Sequence, residues 1–256
     1  MQLNNLSCVK HGDGTMDLTG KVALVTGGTD GIGAHLIRQL RAKGAEVITS
    51  GRTAERIAAT RADGFEVIAA DLSLRGGADT LLQAVHGRTL DLLINNAGAG
   101  VDHDFREPGL PDVASADAAI ELNLHAPIHL ITGLMPMLKS RPEAMIVNVT
   151  SGLALAPNTG SAVYCATKAA LRSYGQSLRA QLVGTGVHVL EALPPVVETK
   201  MTARLTSKKL PPEECARQIV SAIERGADEA NIGQVKMLKL VHSFSPALAR
   251  RIILRF

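Results

Sequence analysis

The stretch KVALVTGGTDGIG at residues 21–33 decides the fold of this chain. Residues 21–26 form a short apolar run that predicts a buried strand, and a helical stretch from Ala34 to Lys43 follows the glycines. A strand, a glycine turn and a helix N-terminus present backbone N–H groups to an anion, and glycine lets a pyrophosphate approach closely. The alternative is an ordinary strand–helix turn, but both flanks that a dinucleotide motif requires are present.

Strands and helices alternate along the rest of the chain. This alternation predicts an α/β fold, a single Rossmann-type doubly wound domain whose mostly parallel sheet is flanked by helices on both faces. The predicted strands are 21–26, 46–50, 65–69, 91–94, 144–149 and 187–192, and the predicted helices are 31–43, 73–86, 112–139 and 161–183, with a short one at 53–60. We expect the domain to occupy residues 17–256, after a flexible N-terminal extension at residues 1–16.

The composition excludes several classes of protein. Hydrophobic residues make up 46% of the 256 residues and charged residues 20%, which argues against disorder. No run of eighteen apolar residues is present, and the first fifteen residues lack the apolar core of a secretory signal. Three cysteines without metal-ligand spacing favour a reduced, cytoplasmic setting. A net charge of +3 and 2% aromatic residues argue against a nucleic-acid partner.

A tyrosine, a lysine and a serine supply candidate reacting groups. Tyr164 and Lys168 are four residues apart, so they share one face of a helix. A neighbouring cation favours the phenolate and lowers the pKa of a phenol from its usual value near ~10. Ser151, thirteen residues upstream, can polarise the oxygen that this general acid/base serves. The same spacing also fits a surface helical pair, so the interpretation depends on the nucleotide motif upstream.

In this order, the motifs between about residues 18 and 199 resemble those of the short-chain dehydrogenase/reductase family. Residues 26–33 resemble the family's Thr-Gly-x-x-x-Gly-x-Gly cofactor turn, and residues 95–98 its Asn-Asn-Ala-Gly signature. Four residues fall where the family's catalytic tetrad lies: Asn123, Ser151, Tyr164 and Lys168. The segments 149–154, 193–199 and 233–236 are similar to those of a DltE-like subgroup of oxidoreductases.

The resemblance implies an oxidoreductase that interconverts a carbonyl and an alcohol on a small molecule, using a nicotinamide cofactor. Tyr164 would be the general acid/base, Lys168 would lower its pKa and bind the nicotinamide ribose, and Ser151 would orient the reacting oxygen. Asn123 would hold a water that links Lys168 to solvent. The expected cofactor contacts are Gly27, Thr29, Asp30, Gly31, Ile32, Gly33, Arg52, Asp71, Leu72, Asn95, Ala97, Gly98, Lys168, Pro194, Val197 and Thr199.

The end of the second strand favours NADP(H) over NAD(H), which remains the alternative cofactor. An acidic side chain at this place binds the ribose 2′-OH of NAD(H), whereas an arginine accommodates the 2′-phosphate of NADP(H). Here Gly51 occupies the acidic position and Arg52 follows, so a guanidinium is available for the phosphate. Asp30 weakens the argument, because many NADP-preferring relatives carry a basic residue there.

The Pro194-Pro195 pair departs from the Pro-Gly common in the family. Proline at position 195 has no N–H and a fixed φ, so we expect a stiffer nicotinamide loop. Residues 194–212 are expected to form a lid over the substrate.

The last residues of the chain carry an uneven charge. From residue 230 to 256 there are five basic residues and no acidic ones, and Leu248 and Ile252 fall on one helix face. A basic amphipathic segment at 246–256 predicts either a membrane-surface contact or a subunit contact in a homodimer or homotetramer. Two other functions therefore stay open: a membrane-associated enzyme of lipid or cell-envelope metabolism, and a nucleotide-binding regulator or scaffold with weak turnover.

Two histidines are candidate metal ligands by their spacing. His125 and His129 are four residues apart, but Pro127 lies between them and no third ligand is evident. We therefore expect a packing role for both histidines and no metal.

Overall fold

The computed structural model describes residues 15–101, 103–106 and 112–255, and they contain a sheet of seven parallel strands in the order β3-β2-β1-β4-β5-β6-β7. The strands are β1 (Val22–Val25), β2 (Glu46–Gly51), β3 (Glu66–Ala69), β4 (Leu92–Asn95), β5 (Ala144–Val149), β6 (Val187–Leu193) and β7 (Glu229–Asn231). The predicted doubly wound α/β fold is confirmed. The sequence analysis missed β7, because three residues are too few to show a period.

Helices cover both faces of the sheet, as predicted. They are α1 (Gly31–Ala42), α2 (Ala54–Ala62), α3 (Gly77–Ala84), α4 (Val113–Ile120), α5 (Ala126–Lys139), α6 (Ala162–Gln181), α7 (Pro212–Glu224), α8 (Val235–Phe244) and α9 (Pro246–Ile253). Within the described ranges, no helix is both long enough and apolar enough to cross a bilayer.

Strand β1 shows why the core has two halves. Alternate side chains of a strand point to opposite faces of the sheet. Ala23 and Val25 therefore belong to the cluster that packs under α1 and α7, whereas Leu24 belongs to the cluster under α3, α5 and α6. All three side chains are 0% exposed, so a strand buried on both faces reads as the continuous apolar run seen in the sequence.

The helix predicted at 112–139 is interrupted by one π-helical turn, Glu121–His125, between α4 and α5. Pro127 follows this turn and has no N–H to donate to the carbonyl of Asn123, so the regular α-helical ladder cannot run through this point. Such turns are frequent at functional sites. Here the turn carries Asn123, one of the predicted site residues.

The packed domain begins before the predicted boundary at residue 17. Met16 is buried in the core, and its backbone N–H donates to the carbonyl of Glu224 at 2.9 Å. Most of the predicted extension, residues 1–14, lies outside the described residues.

The strand order reverses beside β1, and this position locates the cleft. The chain runs outward from β1 to β2 and β3, then returns to pair β4 with the other side of β1. The loops after β1 and β4 therefore leave the sheet in opposite directions and open a crevice at the carboxyl ends of the strands.

Candidate active site

A long cleft at the carboxyl end of the sheet brings most of the predicted site residues together. From the cofactor set it is lined by Gly27, Thr29, Asp30, Gly31, Ile32, Gly33, Arg52, Asp71, Leu72, Ala97, Gly98, Lys168, Pro194, Val197 and Thr199. Of the tetrad, it is lined by Ser151, Tyr164 and Lys168. Residues from six loops or helix ends thus meet although they are distant in the sequence.

The glycine turn after β1 has the geometry that the sequence predicted. Gly27 and Gly31 have φ of 70° and 53°, a conformation that side chains disfavour. A Cβ on Gly33 would collide with the carbonyl of Gly27, so the first turn of α1 can lie against the loop only with glycine here. Asp30 caps α1, accepting from the backbone N–H of Gly31 at 2.9 Å. These features leave a concave backbone surface at the helix N-terminus.

The end of the cleft beside Asp71 holds two arginines, of which only Arg52 was predicted from the sequence. The side chain of Arg52 is 61% exposed and lies 4.0 Å from Asp71. Arg56, on the first turn of α2, also lines the cleft and pairs with the Asp30 carboxylate at 2.8 Å. The one-turn spacing between positions 52 and 56 could have revealed Arg56, since both follow the end of β2. The Arg56 guanidinium also neutralises the Asp30 carboxylate, the residue that weakens the prediction of NADP(H) from the sequence.

Gly51 has no room for the acidic side chain that binds a ribose 2′-OH in other dinucleotide sites. A Cβ at this position would lie 2.6 Å from Thr29 Cγ2 and 2.9 Å from Thr29 Oγ1. Ile57 closes the other side at 3.3 Å. A carboxylate at position 51 would therefore require at least the Thr29 side chain to move.

Asn95 does not reach the cleft, contrary to the prediction. Its side chain is buried and donates from Nδ2 to Asn148 Oδ1 at 2.9 Å, between β4 and β5. The reason is strand alternation: Asn95 is the last residue of β4, whereas Asn96 turns outward and lines the cleft. Asn96 donates from Nδ2 to the carbonyl of Thr26 at 2.9 Å, which ties the β4 loop to the glycine turn.

Tyr164 and Lys168 lie on the cleft-facing side of α6, one turn apart. Lys168 is 3% exposed, and its Nζ donates to the carbonyl of Val149 at 2.9 Å while lying 5.7 Å from the centre of the Tyr164 ring. Ser151 follows β5, and its Oγ accepts from the backbone N–H of Leu153 at 3.1 Å. Ser151 hydrogen-bonds the Tyr164 phenol. The three groups thus form one contiguous cluster.

Asn123 lies beside this cluster, and hydrogen bonds to the loop after β4 fix its side chain. Its Oδ1 accepts from the backbone N–H of Ala99 at 3.0 Å, and its Nδ2 donates to the carbonyl of Ala99 at 2.9 Å. A Cβ on Gly98 would lie 3.1 Å from Asn123 Oδ1 and 3.3 Å from Lys168 Nζ, so all three groups crowd one point. Asn123 is thus bonded across to the loop after β4 and not within its own helix.

The expected low pKa of Tyr164 is wrong. Burial raises the pKa of Tyr164 to about 12, against the hydrogen bond from Ser151, which lowers it. Burial also lowers the pKa of Lys168 to about 8, because an ammonium loses hydration there. The Lys168 ammonium is aimed at the Val149 carbonyl instead of the phenol oxygen. The sequence spacing gave the shared helix face but not the desolvation.

The end of the cleft beside Ser151 and Tyr164 is lined by the loop after β6. The carbonyl of Pro194 accepts from the backbone N–H of Gly152 at 2.9 Å, which binds this loop to the Ser151 turn. Two hydrogen bonds then join the ends of the predicted lid: Leu210 N–H to the Val196 carbonyl and Glu198 N–H to the Leu210 carbonyl, each at 2.9 Å. Pro195 donates to none of these bonds, so its missing N–H leaves the loop intact.

The two histidines weighed as ligands do not pack inside, contrary to expectation. Both side chains are more than half exposed, and His125 pairs with Glu121 at 3.0 Å while His129 pairs with Asp79 at 3.2 Å. His129 lies on the exposed side of α5, and His125 is the last residue of the π-helical turn before it. Over the described ranges, no group of three or more His, Cys, Asp or Glu side chains is arranged to hold a metal ion.

Comparison with known proteins identifies the family. The family model for short chain dehydrogenases matches residues 21–210. The uncharacterized oxidoreductase DltE of Bacillus subtilis (strain 168) is 36% identical over 234 residues, covering 88% of this chain and 92% of the relative. An uncharacterized oxidoreductase of Staphylococcus epidermidis is 31% identical over 223 residues, covering 84% and 95%.

A solved structure of a short chain dehydrogenase has a similar fold over nearly the whole of this chain. A short chain dehydrogenase from Burkholderia cenocepacia J2315, in complex with NADP, superimposes with a TM-score of 0.82. It is 26% identical and covers 93% of this chain and 99% of its own. The family expected from the sequence is thereby confirmed: this chain belongs to the short chain dehydrogenases, within the DltE-like group, and is an oxidoreductase.

Proposed function

We propose that this protein is an NADP(H)-dependent oxidoreductase that interconverts a carbonyl and an alcohol on a small molecule, with Tyr164 as the general acid/base. One observation carries the proposal. The cluster of Ser151, Tyr164 and Lys168 lies in the same cleft as the glycine turn of residues 27–33. A dinucleotide lying along the cleft would join an anion-binding helix terminus to a proton-transferring phenol.

The residues of the cleft fit such a cofactor. The backbone at Gly31 and Gly33 leaves a space that a Cβ would restrict, and the N-terminus of α1 offers free donors there. Lys168 and Thr199 would hold the nicotinamide ribose and carboxamide. When bound, the nicotinamide supplies or accepts the hydride.

Proton transfer would occur at the Tyr164 hydroxyl. In the direction of reduction Tyr164 gives its proton to the carbonyl oxygen, and in oxidation the same oxygen takes the proton of the alcohol. The hydroxyl of Ser151 would donate to that substrate oxygen and orient it. An ammonium has three donors, and Lys168 uses one on the Val149 carbonyl. The others can serve a ribose hydroxyl and a water beside Asn123, which would return protons from solvent.

Selectivity for NADP(H) is supported by charge and by space. Arg52 and Arg56 line the adenosine end, where guanidinium groups can bind a 2′-phosphate in a bidentate manner. The space at Gly51 excludes the carboxylate that would favour NAD(H). NADP in the Burkholderia relative is consistent with this choice.

Titration of the purified protein with NADPH and NADH, followed by nicotinamide fluorescence, tests the cofactor. We expect NADPH to bind at least tenfold tighter, and Arg52→Ala to weaken NADPH far more than NADH. Arg38→Ala is the matched control, because Arg38 pairs with Asp63 on the outer surface. Equal losses for both cofactors in Arg52→Ala would refute the proposed selectivity. A screen of carbonyl substrates with the preferred cofactor follows, and absence of turnover would favour the regulator instead.

A membrane-surface contact is a second proposal, and the exposure of the last two helices favours it. Large apolar side chains on α8 and α9 face solvent: Met237, Leu240, Phe244, Leu248 and Ile252. Arg250 and Arg251 lie beside them, and residues 230–256 carry no acidic side chain. A basic apolar surface matches anionic lipid headgroups. A homodimer or homotetramer in the cytoplasm, with this surface free or buried between subunits, is the companion proposal.

Sedimentation with vesicles separates these arrangements. If the surface binds lipid, the protein should pellet with phosphatidylserine-containing vesicles and not with neutral ones. Leu248→Glu with Ile252→Glu should abolish binding, whereas Val183→Glu, at an exposed apolar residue remote from the C-terminal helices, should not. If the pair of substitutions instead changes the oligomeric state, the surface is a subunit contact. Either result leaves the oxidoreductase assignment unchanged.

A further inference from the structure

Four charged side chains form an alternating chain beneath the catalytic cluster. Arg172, on α6, contacts the Glu191 carboxylate of β6 through one guanidinium nitrogen and the Glu229 carboxylate through the other, the latter at 2.8 Å. Lys239, on α8, contacts the second oxygen of Glu229 at 2.9 Å. Two cations therefore balance two carboxylates. The side chains of Glu191 and Arg172 are only 4% and 12% exposed, so this pair is shielded from solvent.

This ionic chain ends at the strand that carries the reactive serine. Glu191 accepts from the hydroxyl of Thr150 at 2.7 Å, and Thr150 directly precedes Ser151. The preceding residue, Val149, is the one whose carbonyl holds Lys168. Two consecutive residues just before Ser151, Val149 and Thr150, are therefore fixed by side chains that come from α6 and β6.

The other end of the pair belongs to the helix that carries the reactive phenol. Tyr164, Lys168 and Arg172 follow one another at intervals of four residues, so they lie along one stripe of α6. The first two reach the cleft, and the third binds β6. Because a helix is stiff, the point at which Arg172 is anchored sets the position of Tyr164 two turns away.

We infer that Arg172 and Glu191 are positioning residues, which fix the separation between the Tyr164 hydroxyl on α6 and the Ser151 hydroxyl after β5. The inference rests on the proposed function for its kinetic consequence, but not for its structural one. Neither residue lines the cleft, so neither touches substrate or cofactor. The bidentate fork of Arg172 is needed because it must bind carboxylates on two different strands, which a lysine cannot do in the same geometry.

Helix α8 belongs to the same arrangement. Val235, its first residue, packs over the Ser151 turn, where a Cβ on Gly152 would lie 2.8 Å from Val235 Cγ2. Lys239, one turn later, binds Glu229. Helix α8 thus supports the Ser151 side of the site through the packing of Val235 and the Tyr164 side through the charge of Lys239.

An ion pair with an equally buried carboxylate, at the opposite end of the sheet, provides a control. Asp91, whose side chain is 1% exposed, binds Arg141 at 2.7 Å and lies just before β4. Asp91→Asn should lower stability without disturbing the cleft. Glu191→Gln should lower stability and also disturb the cleft. The amide of this variant still accepts from Thr150, but it no longer neutralises Arg172.

The first readout needs no substrate. The chain has two tyrosines, so isotope-labelled tyrosine gives NMR signals from Tyr164 and Tyr174 alone. In Glu191→Gln and in Arg172→Met we expect the Tyr164 signal to move while its position in Asp91→Asn stays that of the wild type. The double variant Arg172→Met/Glu191→Leu leaves no buried charge unpaired, so it keeps the test valid if Arg172→Met fails to fold. An unmoved Tyr164 signal in all folded variants would overturn the inference.

The second readout is kinetic. We expect kcat in Glu191→Gln to fall at least tenfold, with the acid–base limb of its pH profile displaced, while the Kd for NADPH stays within twofold. Arg172→Lys should recover only part of the loss. Unchanged kcat and an unchanged pH profile in variants that are merely less stable would reduce the pair to a structural role. If the wild type itself does not turn over, the proposed function fails, and the NMR result still decides the positioning role.

Discussion

At the scale of single residues, the proposed general acid/base is Tyr164, and burial favours the protonated form of its phenol. Burial raises the pKa of Tyr164 to about 12 and lowers the pKa of Lys168 to about 8. At neutral pH the phenol is therefore the stable form, which suits the acid role in carbonyl reduction. The base role in oxidation requires that the phenolate be stabilised further. A cation that lies closer to the phenol oxygen than the Lys168 ammonium does would provide this stabilisation.

Substitution Tyr164→Phe tests this role directly. Phenylalanine keeps the ring and removes the proton donor, so turnover should fall by at least about a hundredfold, the usual contribution of a general acid. The Kd for NADPH should stay within twofold, since the phenol is assigned to the substrate oxygen. Tyr174→Phe, at the second tyrosine of the chain, is the control and should leave kcat unchanged. Turnover within tenfold of the wild type would remove Tyr164 from its proposed role.

At the scale of elements, the end of β2 and the glycine turn after β1 are fitted to each other. Gly51 is the last residue of β2, and Thr29 lies against it in the turn. The position that commonly selects NAD(H) by charge is here closed by volume. The proposed selectivity for NADP(H) would then depend on how these two loops pack against each other and not on one side chain.

Gly51→Asp should therefore not convert the protein to NADH. We expect weaker binding of both cofactors, with the greater loss for NADPH, because the new carboxylate both displaces Thr29 and repels the 2′-phosphate. Gly51→Ala adds only the Cβ and should weaken both cofactors equally. Combining Gly51→Asp with Thr29→Gly removes the collision and should restore NADH binding. Fluorescence titration of the three variants checks this order, and a Gly51→Asp protein that binds NADH tightly by itself would contradict the packing argument.

The same scale shows what the sequence could predict and what it could not. The glycine turn, the parallel strands and the Tyr164–Lys168 face follow from local patterns, and the structure places them as expected. Asn95 was misassigned because a motif does not show which of two neighbouring asparagines turns outward from the end of a strand. Arg56 and the ionic pair of Arg172 and Glu191 were missed because they depend on contacts between elements that are distant in sequence.

At the scale of the whole molecule, the buried charge of Lys168 makes stability depend on pH. The pKa of Lys168 is lowered from 10.5 to about 8 in the folded chain, so the unfolded chain binds more protons between these values. Stability should therefore rise with pH across this window. Above pH 10 the raised pKa of Tyr164 acts in the opposite sense, because the unfolded chain then loses a proton that the folded chain keeps.

Lys168→Met isolates the lysine contribution. The free energy of unfolding of the wild type, relative to that of the variant, should increase by about 2 kcal/mol from pH 7 to pH 10. Urea denaturation at the two pH values measures the change, and comparing differences cancels the loss of the hydrogen bond to Val149. Arg38→Met, at an exposed ion pair, should give no such change. A difference independent of pH would mean that Lys168 keeps its normal proton affinity when buried.

The order of the strands also governs how the molecule is made. The central strand β1 pairs with β4, so Val25 has its neighbour Ile94 only after the intervening helices have been synthesised. A pairing across so long a stretch of chain closes slowly, since loop entropy must be overcome before contacts form. During synthesis, the glycine turn after β1 can contact the loop after β4 only once β4 has emerged from the ribosome. The cluster of Ser151, Tyr164 and Lys168 can form only after α6 has emerged as well. A nascent chain that stops short of α6 lacks helices from both faces of the sheet, and the apolar surface left exposed is prone to aggregation.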